Sequence, residues 1–174
     1  MNNSAFTVSR EIGIDMGHRV PTHGSKCHNL HGHRYRIIAT CLAPALATVG
    51  EQKDMVLDFG FLKDIMMQRI DAVCDHGMVL WVDDPWLDKF LIKDNVQHVR
   101  QQLDRGERHV SILEVRDVQT KLCIVPFIPT AERLSRWWFE LMEADVRERS
   151  NNAAILEKVE VFETPNCSAV FIPA

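Results

Sequence analysis

Five of the chain's eight histidines fall between His18 and His33. His31 and His33 stand two residues apart, and on a strand that spacing sends both side chains off one face, about 7 Å apart. His18 ends an upstream run whose even positions, Phe6, Val8, Ile12, Ile14 and Met16, are apolar, with Arg10 the exception. If the two runs pair, three imidazoles converge from core-facing positions. Zinc accepts nitrogen ligands readily, and three protein ligands with an open fourth position is the catalytic arrangement. One such histidine alone reads best as a satisfied core or rim residue. An H-x-H with a third histidine ending the paired strand favours a metal. His23 and His28 break the alternation and read as solvated or substrate-adjacent.

Cys27 lies four residues before His31. A thiolate there can act as base or nucleophile, its pKa lowered by Lys26 and a metal; a buried structural thiol fits equally well. Asp75-His76 can form a proton-transfer pair, although such dipeptides are usually plain surface residues. Glu163 ends the inward face of its strand, where a carboxylate needs either an arginine or the amide-and-amine edge of a ligand. Arg10 and Glu132 read as exposed ion-pairing residues with no part in chemistry.

The elements that must position these side chains are legible in outline. Residues 6–18 alternate with period two and predict a strand, bulged because it is long. Pro21, Gly24, Ser25 and Asn29 mark a loop over 19–30. A second strand follows with His31, His33, Tyr35, Ile37, Ala39 and Cys41 on one face, antiparallel to the first. Phe59, Leu62, Ile65, Met66, Arg69, Ile70 and Val73 recur at helical spacing. Thr130 is an N-cap, with Glu132 in the first turn of a second helix whose apolar stripe runs from Leu134 to Val146. Segment 107–126 suggests a hairpin, and 159–172 predicts another, turning at Thr164-Pro165-Asn166.

Residues 77–128 form an insertion. Its apolar side chains cluster at its ends and Asp94 to Arg108 is largely polar, so the expectation is a peripheral flap, anchored by Trp81 and Trp86, with no core of its own. The pattern is β-β-α-(insertion)-α-β-β, an α+β order with antiparallel strands. A small sheet with free edges also invites self-association.

Composition narrows the class. A chain of 174 residues is one domain (1–174, insertion at about 77–128), and 46% hydrophobic with 25% charged residues gives a real core. Twenty Lys and Arg against 24 Asp and Glu, with no basic block, leave no footprint for nucleic acid. No run approaches the roughly 18 apolar residues of a membrane span. The first ten residues predict no secretory signal, and five scattered cysteines without a C-x-x-C suit a reducing cytoplasm.

Taken together, Cys27-x3-His31-Gly32-His33-x-Tyr35, the upstream His18, Met55-Val56-Leu57-Asp58-Phe59, Asp75-His76, Pro129-Thr130-Ala131-Glu132 and Phe162-Glu163-Thr164 resemble the 6-pyruvoyl-tetrahydropterin synthase / 6-carboxytetrahydropterin synthase family. The match runs in the family's order over nearly the whole chain outside about 80–125. The resemblance implies the tunnelling (T-)fold: a four-stranded antiparallel sheet with two helices on one face, assembled into barrels, usually as a hexamer. It implies zinc on His18, His31 and His33, and a catalytic set of Cys27, Asp75 and His76 drawn partly from a neighbouring subunit. Glu163, with Thr130, would hold the pterin. The implied reaction is that of a zinc-dependent lyase, converting 7,8-dihydroneopterin triphosphate to 6-carboxy-5,6,7,8-tetrahydropterin with loss of triphosphate and acetaldehyde, towards queuosine and other deazapurines. The pyruvoyl branch, which keeps the two-carbon fragment, is the alternative. A catalytically idle, zinc-binding family member is the second, and the joint presence of Cys27, Asp75, His76 and Glu163 weighs against it.

Overall fold

Phe6–His18 (β1) and His31–Ala43 (β2) pair antiparallel without a register break, from Phe6 opposite Ala43 to His18 opposite His31. The computed structural model describes residues 4–91 and 93–174. The alternation read from the sequence is the observed one through the middle of the pair: Ile14, Tyr35 and Ile37 are fully buried between exposed or half-buried neighbours. Ala39 and Cys41 are fully buried on either side of Thr40, which is buried too. The expected bulge in β1 is absent from this pairing. The irregularity falls instead between Thr40 and Cys41, where β2 meets Ile155–Thr164 (β6). An unbroken twist between two equally long strands needs no extra residue.

The buried face is covered by helices. Asp58 caps Phe59–Met66 (α1) by accepting from the Gly60 and Phe61 amides. A π-helical turn at Met67–Asp71 and a short Ala72–Cys74 helix (α2) carry the chain on to Asp75. Ala131–Arg149 (α5) packs Leu134, Trp138, Met142 and Val146 on the same face, and its first turn is capped by Thr130, as its sequence predicts. Cys167–Phe171 (β7) closes the C-terminal hairpin on β6.

Two expectations are corrected. With Gly77–Trp81 as β3, Val110–Val115 as β4 and Val118–Val125 as β5, the sheet among the described residues is seven-stranded and mixed, in the order β4-β5-β3-β1-β2-β6-β7, where four antiparallel strands were expected. Gly77–Trp81 (β3) touches β1 in parallel at Met16 and Gly17, and Val118–Val125 (β5) continues in parallel beyond it. Val110–Val115 (β4) hairpins onto β5, as the 107–126 reading anticipated.

The insertion also has a hydrophobic core. Leu80, Val82, Leu87, Leu91, Val96, Val99, Leu122 and Ile124 bury one another beneath Leu87–Phe90 (α3) and Lys93–Asp104 (α4). Those residues are scattered among charges along the chain and meet only when β3 and β5 pair. A reading that scores contiguous stretches finds no core there. Of the two expected anchors, Trp81 packs against this core beside the fully buried Leu80, and Trp86 remains exposed. No helix among the described residues is long and apolar enough to cross a membrane.

Candidate functional site

The three histidines meet where β1 and β2 end. His18 and His31 are direct cross-strand partners, and His33 lies one same-face position further along β2. Their ring centroids are 4.5, 5.3 and 5.0 Å apart, and a nitrogen from each lies within 4.8 Å of the others. Gly32 permits this close approach: a Cβ there would stand 3.1 Å from the Met16 carbonyl oxygen of the paired strand.

Backbone carbonyls fix two of the rings. His18 Nδ1 lies 2.8 Å from the Pro129 oxygen, and His31 Nδ1 lies 2.8 Å from the Asn29 oxygen. A carbonyl only accepts, so each Nδ1 carries a proton, and in the neutral ring Nε2 is the nitrogen left to present a lone pair. His18 Nε2 then faces Glu163 Oε1 at 3.2 Å, and the buried His33 Nε2 faces the same oxygen at 3.8 Å. Neither nitrogen has a hydrogen-bond partner. A carboxylate oxygen facing these two nitrogens is favourable when a positive charge lies between them, either a metal ion or a proton on an imidazole. Burial, aided by His18 and His31, outweighs Glu163 and holds the His33 pKa below its ordinary value, which suits a neutral ligand. The donor set fits a metal ion of the zinc class.

Glu163 is the electrostatic hinge of this group. Its carboxyl is held below the usual range by His18, then by His33 and the Tyr35 hydroxyl, against the opposing effect of burial. Tyr35 donates to Oε1 at 3.2 Å from a fully buried ring. The sequence placed Tyr35 on the histidine face without giving it a task. Its position two residues after His33 was the available signal.

Cys27 sits on a single 3-10 turn, Lys26–His28. It lines a cavity of about 260 Å³ with His18, Thr130, Glu132 and Glu163, and His23 stands at the rim. Thus one metal-ligand candidate, His18, shares a hollow with the thiol and the carboxylate, and Thr130 caps α5 beside them. His28 is exposed and points back to the Ser25 carbonyl. Neither Arg10 nor Glu132 forms an ion pair among the described residues, which corrects the pairing expected of both; the Arg10 Nε is buried without a partner, while Glu132 is exposed as expected and lines the cavity.

Asp75 and His76 do not line that cavity. His76 Nδ1 donates to Asp75 Oδ2 at 2.7 Å, and Asp75 Oδ1 accepts from the Asp15 amide at 2.8 Å. Lys121 Nζ donates to the Asp75 carbonyl at 2.7 Å and closes the end of the helix. Burial opposes ionisation of Asp75, but the Asp15 amide, the His76 ring and Lys121 together hold its carboxyl below the usual range. The His76 side chain is 78% exposed, on a backbone with φ of 53°. The dyad is built and oriented, yet it faces outward.

A family profile described as 6-pyruvoyl tetrahydropterin synthase matches residues 7–173. The chain belongs to that family. Among curated relatives, the 6-carboxy-5,6,7,8-tetrahydropterin synthase of Haemophilus influenzae is 28% identical over 160 residues, covering 92% of this chain and 94% of its own. The enzyme of the same name from Aquifex aeolicus is 26% identical over 171 residues, 90% and 88% of the two chains. That of Rickettsia typhi reaches 40% over 81 residues, covering 47% of this chain and 56% of its own. Solved structures share the fold: an uncharacterized protein of Wolinella succinogenes has a TM-score of 0.74 at 23% identity, covering 98% and 99% of the two chains. A catalytic-residue variant of the Plasmodium vivax 6-pyruvoyltetrahydropterin synthase has 0.61 at 14%, covering 97% of each. The 6-pyruvoyl tetrahydropterin synthase family acts on pterins, so the histidine cluster and its cavity belong to a pterin-processing fold.

Proposed function

We propose that the protein is a zinc-dependent 6-carboxy-5,6,7,8-tetrahydropterin synthase acting on 7,8-dihydroneopterin triphosphate in a route to queuosine and related deazapurines. The observation that carries the reading is the convergence of His18, His31 and His33 beside Glu163, which with His18 lines one cavity that Cys27 shares. The curated relatives carrying the carboxy name favour this product over the pyruvoyl one.

His18, His31 and His33 would hold zinc, which when bound supplies a Lewis acid that acidifies the bonds next to the substrate's side-chain oxygens. Glu163, kept ionised by His18 and steadied by Tyr35, accepts the paired donors of the aminopyrimidine edge and thereby sets the side chain's position. The Cys27 thiolate removes a proton from the side chain. His76, its Nδ1 proton fixed on Asp75, exchanges a proton through Nε2. Elimination of triphosphate, with transfer of the side chain's two reducing equivalents to the ring, leaves a dicarbonyl side chain. One water then adds to the carbonyl next to the ring, and cleavage of the bond between the two carbonyl carbons leaves the carboxylate and releases acetaldehyde. Because the dyad points outward, the reading has a second copy of the chain bring its Asp75-His76 to this cavity, in a homo-oligomer built on the tunnelling fold.

Incubation with 7,8-dihydroneopterin triphosphate, with mass spectrometry of the pterin and an aldehyde assay, tests the reaction. Equimolar acetaldehyde and 6-carboxytetrahydropterin are expected. A pyruvoyl product without acetaldehyde moves the chain to the other branch, and absence of pterin turnover with retained metal makes it a non-catalytic member.

A further inference from the structure

Apart from His18, the charged side chains buried among the described residues are Arg19 and Asp84, and they face each other. Arg19 Nη1 lies 3.3 Å from Asp84 Oδ1, with the arginine side chain 8% exposed and the aspartate fully covered. Asp84 belongs to the turn after β3, where its Oδ1 also accepts from the Trp86 amide at 2.8 Å. Arg19 is the residue immediately after the metal-ligand candidate His18. Its guanidinium also stands 5.8 Å from the Trp86 ring centre.

This pair is poorly built for stability. Arg19 Nε and Nη1 and Asp84 Oδ2 are buried without hydrogen-bond partners. Buried ion pairs with incomplete hydrogen bonding are often matched or exceeded by an apolar replacement of the same volume. What the pair does supply is a fixed point: it ties the end of β1 to the insertion.

The other end of the same loop is tied there too. Leu30, immediately before His31, packs against the insertion's core. Residues 19–30, which carry Cys27, therefore leave and rejoin the sheet at two anchors on the insertion. The loop closes on itself between them, with the Val20 amide donating to the Cys27 carbonyl at 2.9 Å.

We propose that Asp84 is a positioning residue for the metal centre: through Arg19 it fixes the end of β1, and with it the His18 imidazole and the start of the Cys27 loop. The inference rests on the reading of the histidine cluster as a metal-dependent active site. It makes the insertion the frame of the site.

Three variants of this chain test it: Asp84→Asn, Asp84→Glu, and the apolar pair Arg19→Met with Asp84→Leu. Zinc affinity is measured by chelator competition, kcat and KM with 7,8-dihydroneopterin triphosphate, and Tm by calorimetry. Asp84→Asn keeps the acceptor for the Trp86 amide and is expected to bind zinc about 10-fold more weakly, in the range seen when a ligand's support is removed. Its kcat should fall with little change in KM, and Asp84→Glu should recover part of the loss. The apolar pair should regain Tm without regaining zinc affinity, a split that a merely stabilising role does not produce. Wild-type zinc affinity and kcat in the apolar pair, or in Asp84→Asn, overturn the proposal while leaving the reading of the site intact. A wild-type chain that binds no zinc overturns that reading and the proposal with it.

Discussion

At the scale of single residues, the metal and the proton carriers separate. His33→Ala removes one of three candidate ligands. Because the unfolded chain offers no preformed site, metal binding is coupled to folding. Zinc content by elemental analysis should therefore fall with activity, accompanied by a lower Tm. Cys27→Ala touches no ligand. It should keep stoichiometric zinc and its fold while turnover drops by about 10²–10⁴-fold, the usual contribution of a positioned acid or base; loss of zinc in this variant would make the thiol a ligand and close the site. Tyr35→Phe isolates the buried hydroxyl, which donates to Glu163. One hydrogen bond to a charged group is worth about 1.5–3 kcal/mol, so pterin binding followed by calorimetry should weaken at least several-fold with zinc retained.

At the scale of elements, the insertion is a load-carrying layer with two measurable consequences. Leu80 is fully buried in the second core, and Leu80→Ala should lower stability by about 2–5 kcal/mol in denaturant titrations. A peripheral flap would lose far less. His109, just before β4, packs its ring edge-on to Trp137 of α5, with centroids 5.5 Å apart. Burial lowers its pKa from the ordinary 6.5, against the opposing pull of Glu107. The unfolded chain then holds the proton to higher pH than the folded one. This group's share of stability is complete above pH 6.5 and disappears as pH falls through the lower folded-state value. Replacing the ring, as in His109→Phe, should flatten the fall of Tm over that window, read by calorimetry across a pH series.

At the scale of the whole molecule, the outward-facing Asp75-His76 sets the test. A Cys27→Ala chain and a His76→Ala chain should each be nearly inactive. If one copy supplies the thiol and another the dyad, dissociating and reassembling the two together should restore activity well above either parent. No recovery, in a mixture shown by native mass spectrometry to exchange subunits, would place the whole set within one chain. The same experiment reports the stoichiometry of the assembly.

What the sequence determined by itself is whatever rests on local periodicity or fixed spacing. Alternation placed His18, His31, His33 and Tyr35 on one face, because a strand's period of two leaves no freedom once one face is buried. Helical spacing found α1 and α5, and the Thr130 cap was legible because capping depends on nearby backbone amides alone. The turn at 164–166 was legible for the same local reason. Only the tertiary structure decided what depends on distant segments meeting. It extended the sheet to seven strands, since parallel pairing joins residues far apart in the chain, Met16 with Gly77 and Met78 with Leu122. It gathered the insertion's scattered apolar residues into a core and put Asp84 against Arg19. It also brought Glu163 to the histidines and turned His76 away from them, because where a side chain points across a fold is fixed by packing, which no local spacing records.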